Sequence, residues 1–327
     1  MELIISGYGE KGNKNIIKCD EYGKEIWSDT IESPSFVCVE GDLMFAGTES
    51  DNYSIIHAYK ADGEGYILTD SVRFDEGTCL CHVCYSPKNR MVFGACWGSG
   101  HLLYATVDEN GKFTSHGSVY QQNETGDSEI LTRVHFVHVN KAETKLMATN
   151  VGTDVIYFYD IKDGGIFECD RIYTEKGQHP RHAVYTSDEK TLYVITELSN
   201  EVLVYDMPNK KLKQRISTLP AGFEGKSHCS AICLSPDEKT VYGANRYSES
   251  IVFFSVKDDG TLTEIHRIGC SGEKPRHMIL SRDGKNLMIC YQVSGEVCIM
   301  PLSENGLPVE GEAHVFPFHD AAGIVEL

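Results

Sequence analysis

The sequence predicts an all-β fold, a seven-bladed β-propeller with four-stranded blades, and three observations carry that prediction. A strand-like motif returns at steps of about 46 residues through the 327-residue chain. Each unit reads as four short apolar runs divided by turn residues. The last copy is a single strand at the C-terminus with no partners of its own. Self-similarity at this period marks propellers and solenoids, and no segment keeps the 3.6-residue apolar period of a helical solenoid.

The elements follow in order. MELIISGY, GNKNIIKCD and EIWSDTI read as three strands at the N-terminus. The first has no basic segment before it and a glycine-rich turn after it, so it is expected to be a strand and not a signal peptide. Six units then begin PSFVCVEGD at Pro34, LCHVCYSPK at Leu80, RVHFVHVNK at Arg133, PRHAVYTSD at Pro180, CSAICLSPD at Cys229 and PRHMILSRD at Pro275, with steps of 46, 53, 47, 49 and 46 residues. A further 46 residues lead to Ala321 and AAGIVEL, a seventh copy cut to one strand. Within each unit a polar turn such as TSDEK or SRDGK precedes a second strand (TLYVITEL, NLMICYQV). A third strand follows (EVLVYDM, SIVFFSV), then a more polar fourth. Pairing of the N- and C-terminal strands in one blade would close the ring without an open edge, with residues 1–327 as one domain.

Composition narrows the function. Apolar residues make up 41% and charged residues 24%, as in a globular protein. With 30 basic against 48 acidic residues the net charge is −18, a field that repels phosphate backbones, so no nucleic-acid partner is expected. No apolar stretch is long enough to span a bilayer, and no membrane partner is expected. Most of the twelve cysteines sit in strand-like runs and read as reduced, small apolar side chains in a cytoplasmic protein. Cys79, Cys81 and Cys84, with His82 among them, lack the second ligand pair a zinc site requires, so neither metal nor cofactor is expected.

The innermost strand of each blade lines a propeller's channel. The third residue of each unit gives Phe36, His82, His135, His182, Ala231, His277 and Gly323, four histidines in one column. The second residue gives Ser35, Cys81, Val134, Arg181, Ser230, Arg276 and Ala322. The second strands end on Glu49, Trp97, Val151, Glu197, Arg246 and Gln292. Unpaired buried charge is costly, so these columns must face water or a ligand. They could pair with one another around a wet channel, but a basic cluster in so acidic a chain is better explained by an anionic ligand. Arginine's planar fork matches carboxylate or phosphate.

At PRHAVYTSDEKTLYVITEL, CSAICLSPDEKTVYGANR and KPRHMILSRDGKNL the chain resembles the lactonase family of seven-bladed propellers, which includes a bacterial 6-phosphogluconolactonase and a fungal carboxymuconate cyclase. The likeness covers nearly the whole chain, since GYGEKGNKNIIKCD and PSFVCVEGDLMFAGTE follow the family's opening pattern, and it is strongest from Thr132 to Gln292. The resemblance implies functional roles for His135, Arg181, Glu197 and Arg246, all four already members of the columns. The chain departs from the family at Thr132-Arg133-Val134-His135, where Pro-His-x-His is usual, and at Asn150-Val151-Gly152, where Asp-Leu-Gly is usual.

The expectation is a lactone hydrolase acting on a small anionic sugar lactone, 6-phosphogluconolactone first, in carbohydrate metabolism through the pentose phosphate pathway. Glu197 or His135 would take a proton from water, and Arg181 and Arg246 would hold the oxyanion or the phosphate. His182, Arg276, His277, His82 and Gln292 would contact the substrate. Two other readings stand beside it: a lactonising cycloisomerase of a muconate-like dicarboxylate, and a non-catalytic binding platform. The short, charged loops DENGK, SDEK and KDDGT weigh against a platform, which needs exposed apolar loop tips.

Overall fold

Turn residues divide the chain into short strands that pair in sequence order, each with the next, so that every blade is built from the channel outward. A computed structural model describes residues 1–10 and 12–327, and Lys11 of the opening GYGEKGNKNIIKCD segment lies outside the described residues. The result is seven sheets of four antiparallel strands, a seven-bladed propeller. The closing blade runs from Ala321–Glu326 at the channel through Glu2–Gly7 and Ile16–Asp20 to Glu25–Asp29 at the rim. Blades two to seven begin with Pro34–Glu40, Leu80–Ser86, Val134–Val139, Pro180–Tyr185, His228–Leu234 and Pro275–Leu280.

The core is divided among the seven contacts between neighbouring blades. Leu43 and Phe45 of blade two pack against Leu80, Val83 and Leu103 of blade three, while Met44 and Ala46 from the same strand pack against Ile4 and Ile16 of the closing blade. Successive side chains on a strand point to opposite faces, and both faces are covered. The middle strands are therefore continuously apolar, and Met91–Cys96 is buried throughout. The rim strands face water on one side, and Lys211–Ser217 is mostly polar and mostly exposed.

Each innermost strand carries a bulge near its start. Pro34 pairs with Thr48 but Phe36 with Gly47, and the shift recurs at Leu80/His82, Val134/Phe136, Pro180/His182, Cys229/Ile232 and Pro275/His277. In the closing blade it falls at Ser6/Gly7, leaving Ala322 as the extra residue. This register corrects the sequence columns in blade four. The long connection before that blade aligns Arg133 with Pro180 by similarity, whereas hydrogen bonding makes Val134 the equivalent of Pro180. His135 thus belongs with Arg181 and Arg276, and Phe136 takes its place among the histidines.

Candidate active site

With the register fixed, the channel has three tiers. A bulge re-aims the extra residue, here towards one mouth. The bulge tier comprises Ser35, Cys81, His135, Arg181, Ser230, Arg276 and Ala322. Its small members stitch blade to blade: Ser35 Oγ donates to the Leu80 carbonyl at 2.9 Å, the Cys81 thiol lies 3.4 Å from the His135 carbonyl, and Ser230 Oγ donates to the Pro275 carbonyl. Its long members are His135, Arg181 and Arg276. Above them stand the ends of the second strands, including Glu49, Glu197, Arg246 and Gln292. Below them Phe36, His82, Phe136, His182 and His277 form a floor of contacting rings, with centroids 4.0 Å apart for Phe36 and His82, 4.5 Å for His82 and Phe136, and 5.0 Å for Phe136 and His182.

The structure brings Arg181, Glu197 and Arg246 into contact. Arg246 Nη2 donates to Glu197 Oε1 at 2.6 Å and to the Cys229 carbonyl at 3.0 Å. Arg181 Nη1 donates to the Ser230 carbonyl, and its Nε lies 3.9 Å from Glu197 Oε2, too far for a hydrogen bond. Among the described residues that buried Nε has no hydrogen-bond partner, and neither have His135 Nδ1 and Gln292 Oε1. Glu197 keeps 18% of its side chain exposed against 2% for Arg181, so the carboxylate is reachable from the mouth. His135 lies in the same tier, its ring centroid 5.2 Å from that of His182. His82, His182 and His277 sit deeper, in the floor, and line a cavity of about 390 Å³ that opens on the opposite mouth beside Arg282.

The electrostatics follow from burial and neighbours. Burial, with Arg246 beside it, lowers the Arg181 guanidinium to about 9, so it is still charged at neutral pH. Burial would raise the Glu197 carboxyl, but Arg181 and Arg246 outweigh it and hold Glu197 below its ordinary value. Burial, then Arg181, Arg276 and Arg246, keep His135 well below the ordinary imidazole range, and therefore neutral. On the other side of the mouth Tyr8 donates to Glu49 Oε2 at 2.7 Å, and Arg276 approaches the same oxygen at 3.7 Å. This network sets three guanidinium groups against two carboxylates, an excess of one positive charge that an anion would neutralise.

Beside Glu197 the mouth widens into a cleft of about 460 Å³ walled by Trp97, Leu131, Arg133, Leu198 and His228. Sequence reasoning left Tyr8 and Arg133 out of the columns and placed Trp97 in one without giving it a role in the site. Tyr8 follows Gly7, which pairs with Ala321 as Thr48 pairs with Pro34, so it is the seventh member of the column of Glu49 and Glu197. The 46-residue step counted back from Glu49 lands on Leu3, so only the pairing of the terminal strands places it.

A family model described as lactonase, 7-bladed beta-propeller, matches residues 21–311. The 6-phosphogluconolactonase of Bacillus subtilis (strain 168) is 28% identical over 288 residues, covering 82% of each chain. Two solved structures share the fold: the periplasmic gluconolactonase PpgL of Pseudomonas aeruginosa, with a TM-score of 0.89 at 21% identity over 99% of this chain and 98% of that one, and a protein from Lactobacillus plantarum, with a TM-score of 0.87 at 21% identity over the same shares.

Proposed function

The chain belongs to the lactonase family of seven-bladed β-propellers, and we propose that it hydrolyses a small anionic sugar lactone, with 6-phosphogluconolactone the first candidate. The observation that carries this reading is the asymmetry of Glu197. Arg246 holds Oε1 at 2.6 Å, while among the described residues Oε2 has only Arg181 Nε at 3.9 Å, and that buried Nε makes no hydrogen bond. A lactone with an attacking water satisfies both groups: the water donates to Oε2, and the ring carbonyl accepts from Nε.

The chemistry then balances on these residues. Glu197 takes a proton as the water oxygen bonds to the carbonyl carbon, and the negative charge passes to the carbonyl oxygen, where Arg181 and Arg276 stabilise it. Collapse of the tetrahedral intermediate breaks the ring C–O bond, and the departing alkoxide recovers the proton from Glu197. Neutral His135 donates or accepts a hydrogen bond without changing charge. Twelve unpaired cysteines fit a reducing compartment, and we infer a cytoplasmic location.

The test is a panel of phosphorylated and plain sugar lactones assayed against their spontaneous opening. Glu197→Gln is expected to lower kcat about 10²–10⁴-fold with a smaller change in KM. Arg181→Ala is expected to cost about 10²–10³-fold. With both Glu197 and His135 titrating below their usual ranges, kcat/KM for a lactone without a phosphate group should stay flat from about pH 5 to 8, whereas a limb centred near ~6.5 would make an imidazole the base. If every lactone opens at its spontaneous rate in the presence of the folded protein, the binding-platform reading replaces this one.

A further inference from the structure

The wall of the cleft holds a cation that the reaction centre does not use. The Arg133 guanidinium lies 3.7 Å above the Trp97 ring centroid, and among the described residues its side chain makes no ion pair and no hydrogen bond. Its backbone is fixed, with the N–H donating to Asn150 Oδ1 at 2.9 Å and the carbonyl accepting from Val151 N at 2.9 Å. The indole occupies one face of the guanidinium plane and leaves the edges, with five N–H donors, open to an acceptor. Glu129 lines the same cleft from an exposed loop and makes no ion pair with Arg133. Arg133 and Glu197 wall one continuous cleft of about 460 Å³, inside the range of ~300–1,000 Å³ typical of small-molecule sites.

We propose that Arg133, stacked on Trp97 in the wall of the cleft that Glu197 also lines, is the specificity-determining residue that receives the phosphate ester of the lactone substrate. The proposal rests on the hydrolase reading, because it takes the lactone ring to lie at Glu197. Charge supports it: beside a reaction-centre network with one positive charge in excess, Arg133 adds a cation that the exposed Glu129 of the same wall does not pair. A stacked guanidinium is already oriented before the ligand arrives, so little rotamer freedom is lost when a bidentate contact to phosphate forms.

The test compares 6-phosphogluconolactone with glucono-δ-lactone on the parent, Arg133→Met and Arg133→Lys, with unfolding curves to establish that the variants fold. The ratio of kcat/KM for the phosphorylated over the plain lactone should fall about 10- to 100-fold in Arg133→Met, carried mostly by KM, with Arg133→Lys between it and the parent. Inorganic phosphate should inhibit the parent competitively and inhibit Arg133→Met much less. It should also shift the tryptophan emission of the parent, and shift neither Arg133→Met nor Trp97→Phe. An unchanged ratio with undiminished phosphate inhibition overturns the role of Arg133 while leaving the hydrolase reading intact. No turnover of any lactone, with the Trp97 signal still dependent on Arg133, overturns the hydrolase reading and leaves an anion site.

Discussion

His82, His135 and His182 are buried in the channel and His277 is half-buried there, and desolvation first, then neighbouring guanidinium groups or imidazoles, holds all four below the ordinary imidazole range, His277 down to about 3. Their unfolded pKa is ~6.5, so in mild acid the unfolded chain binds protons that the folded one refuses. This contribution to stability is fully present above about pH 6.5 and is lost as the pH falls towards the folded values. Each histidine contributes a slope of up to ~1.4 kcal/mol per pH unit. His182→Phe removes one titrating ring and keeps an aromatic in a floor that already contains Phe36 and Phe136. Between pH 6.5 and 5 the variant should lose roughly 2 kcal/mol less than the parent in urea unfolding. Equal losses would mean that His182 takes up its proton in the folded state.

The bulge at the start of each inner strand lets a β-sheet, which otherwise points side chains alternately into two dry interfaces, present one residue per blade to the mouth. Where that residue is small it ties its neighbour's backbone; where it is long it enters the site. The turns after the second strands are equally constrained. Asn150 Oδ1 accepts from Gly152 N at 3.0 Å and Thr153 N at 3.1 Å, while Nδ2 donates to Thr132 Oγ1 at 2.6 Å, which pins the turn to the loop carrying Leu131. A Cβ on Gly152 would overlap the Leu131 carbonyl, whereas one on Gly269 would meet nothing within 4 Å. Gly152→Ala is expected to cost about 2–4 kcal/mol and to disturb the cleft, while Gly269→Ala stays within about 1 kcal/mol of the parent. Comparable chemical-denaturation midpoints for the two would contradict the close packing of this turn.

Ring closure depends on a short segment far from its partners in sequence. Leu3 to Gly7 pair antiparallel with Glu326 back to Ala321, and Ala321 and Ile324 are buried with Leu3, Ile5, Met288 and Val297. A chain ending at Asp320 would lose the innermost strand of the closing blade, expose Glu2–Gly7 as an open edge and separate blades two and seven from their shared neighbour. It is expected to aggregate or unfold without a cooperative transition, and a peptide of residues 321–327 added during refolding should restore part of the parent's signal. A truncated chain with the parent's melting temperature would refute a structural role for the closing strand.

The propeller was legible in the sequence because every blade must bury the same two faces, so PSFVCVEGD, PRHAVYTSD and PRHMILSRD meet one constraint repeatedly and leave one spacing. The likeness of blades also brought Arg181, Glu197, Arg246 and Arg276 forward, since charges at matching places in apolar strands stand out. The rest needed tertiary structure for physical reasons. Similarity counts residues, whereas a bulge is a choice of hydrogen-bond partner, so only pairing of Val134 with Asn150 could move His135 from the histidines to the arginines. Arg276 reaches Glu49 and Tyr8 because the ring closes, and Arg133 finds Trp97 because blades three and four stand side by side. Side-chain type and spacing thus determined which groups line the channel, and the folded backbone decided which of them face the same space.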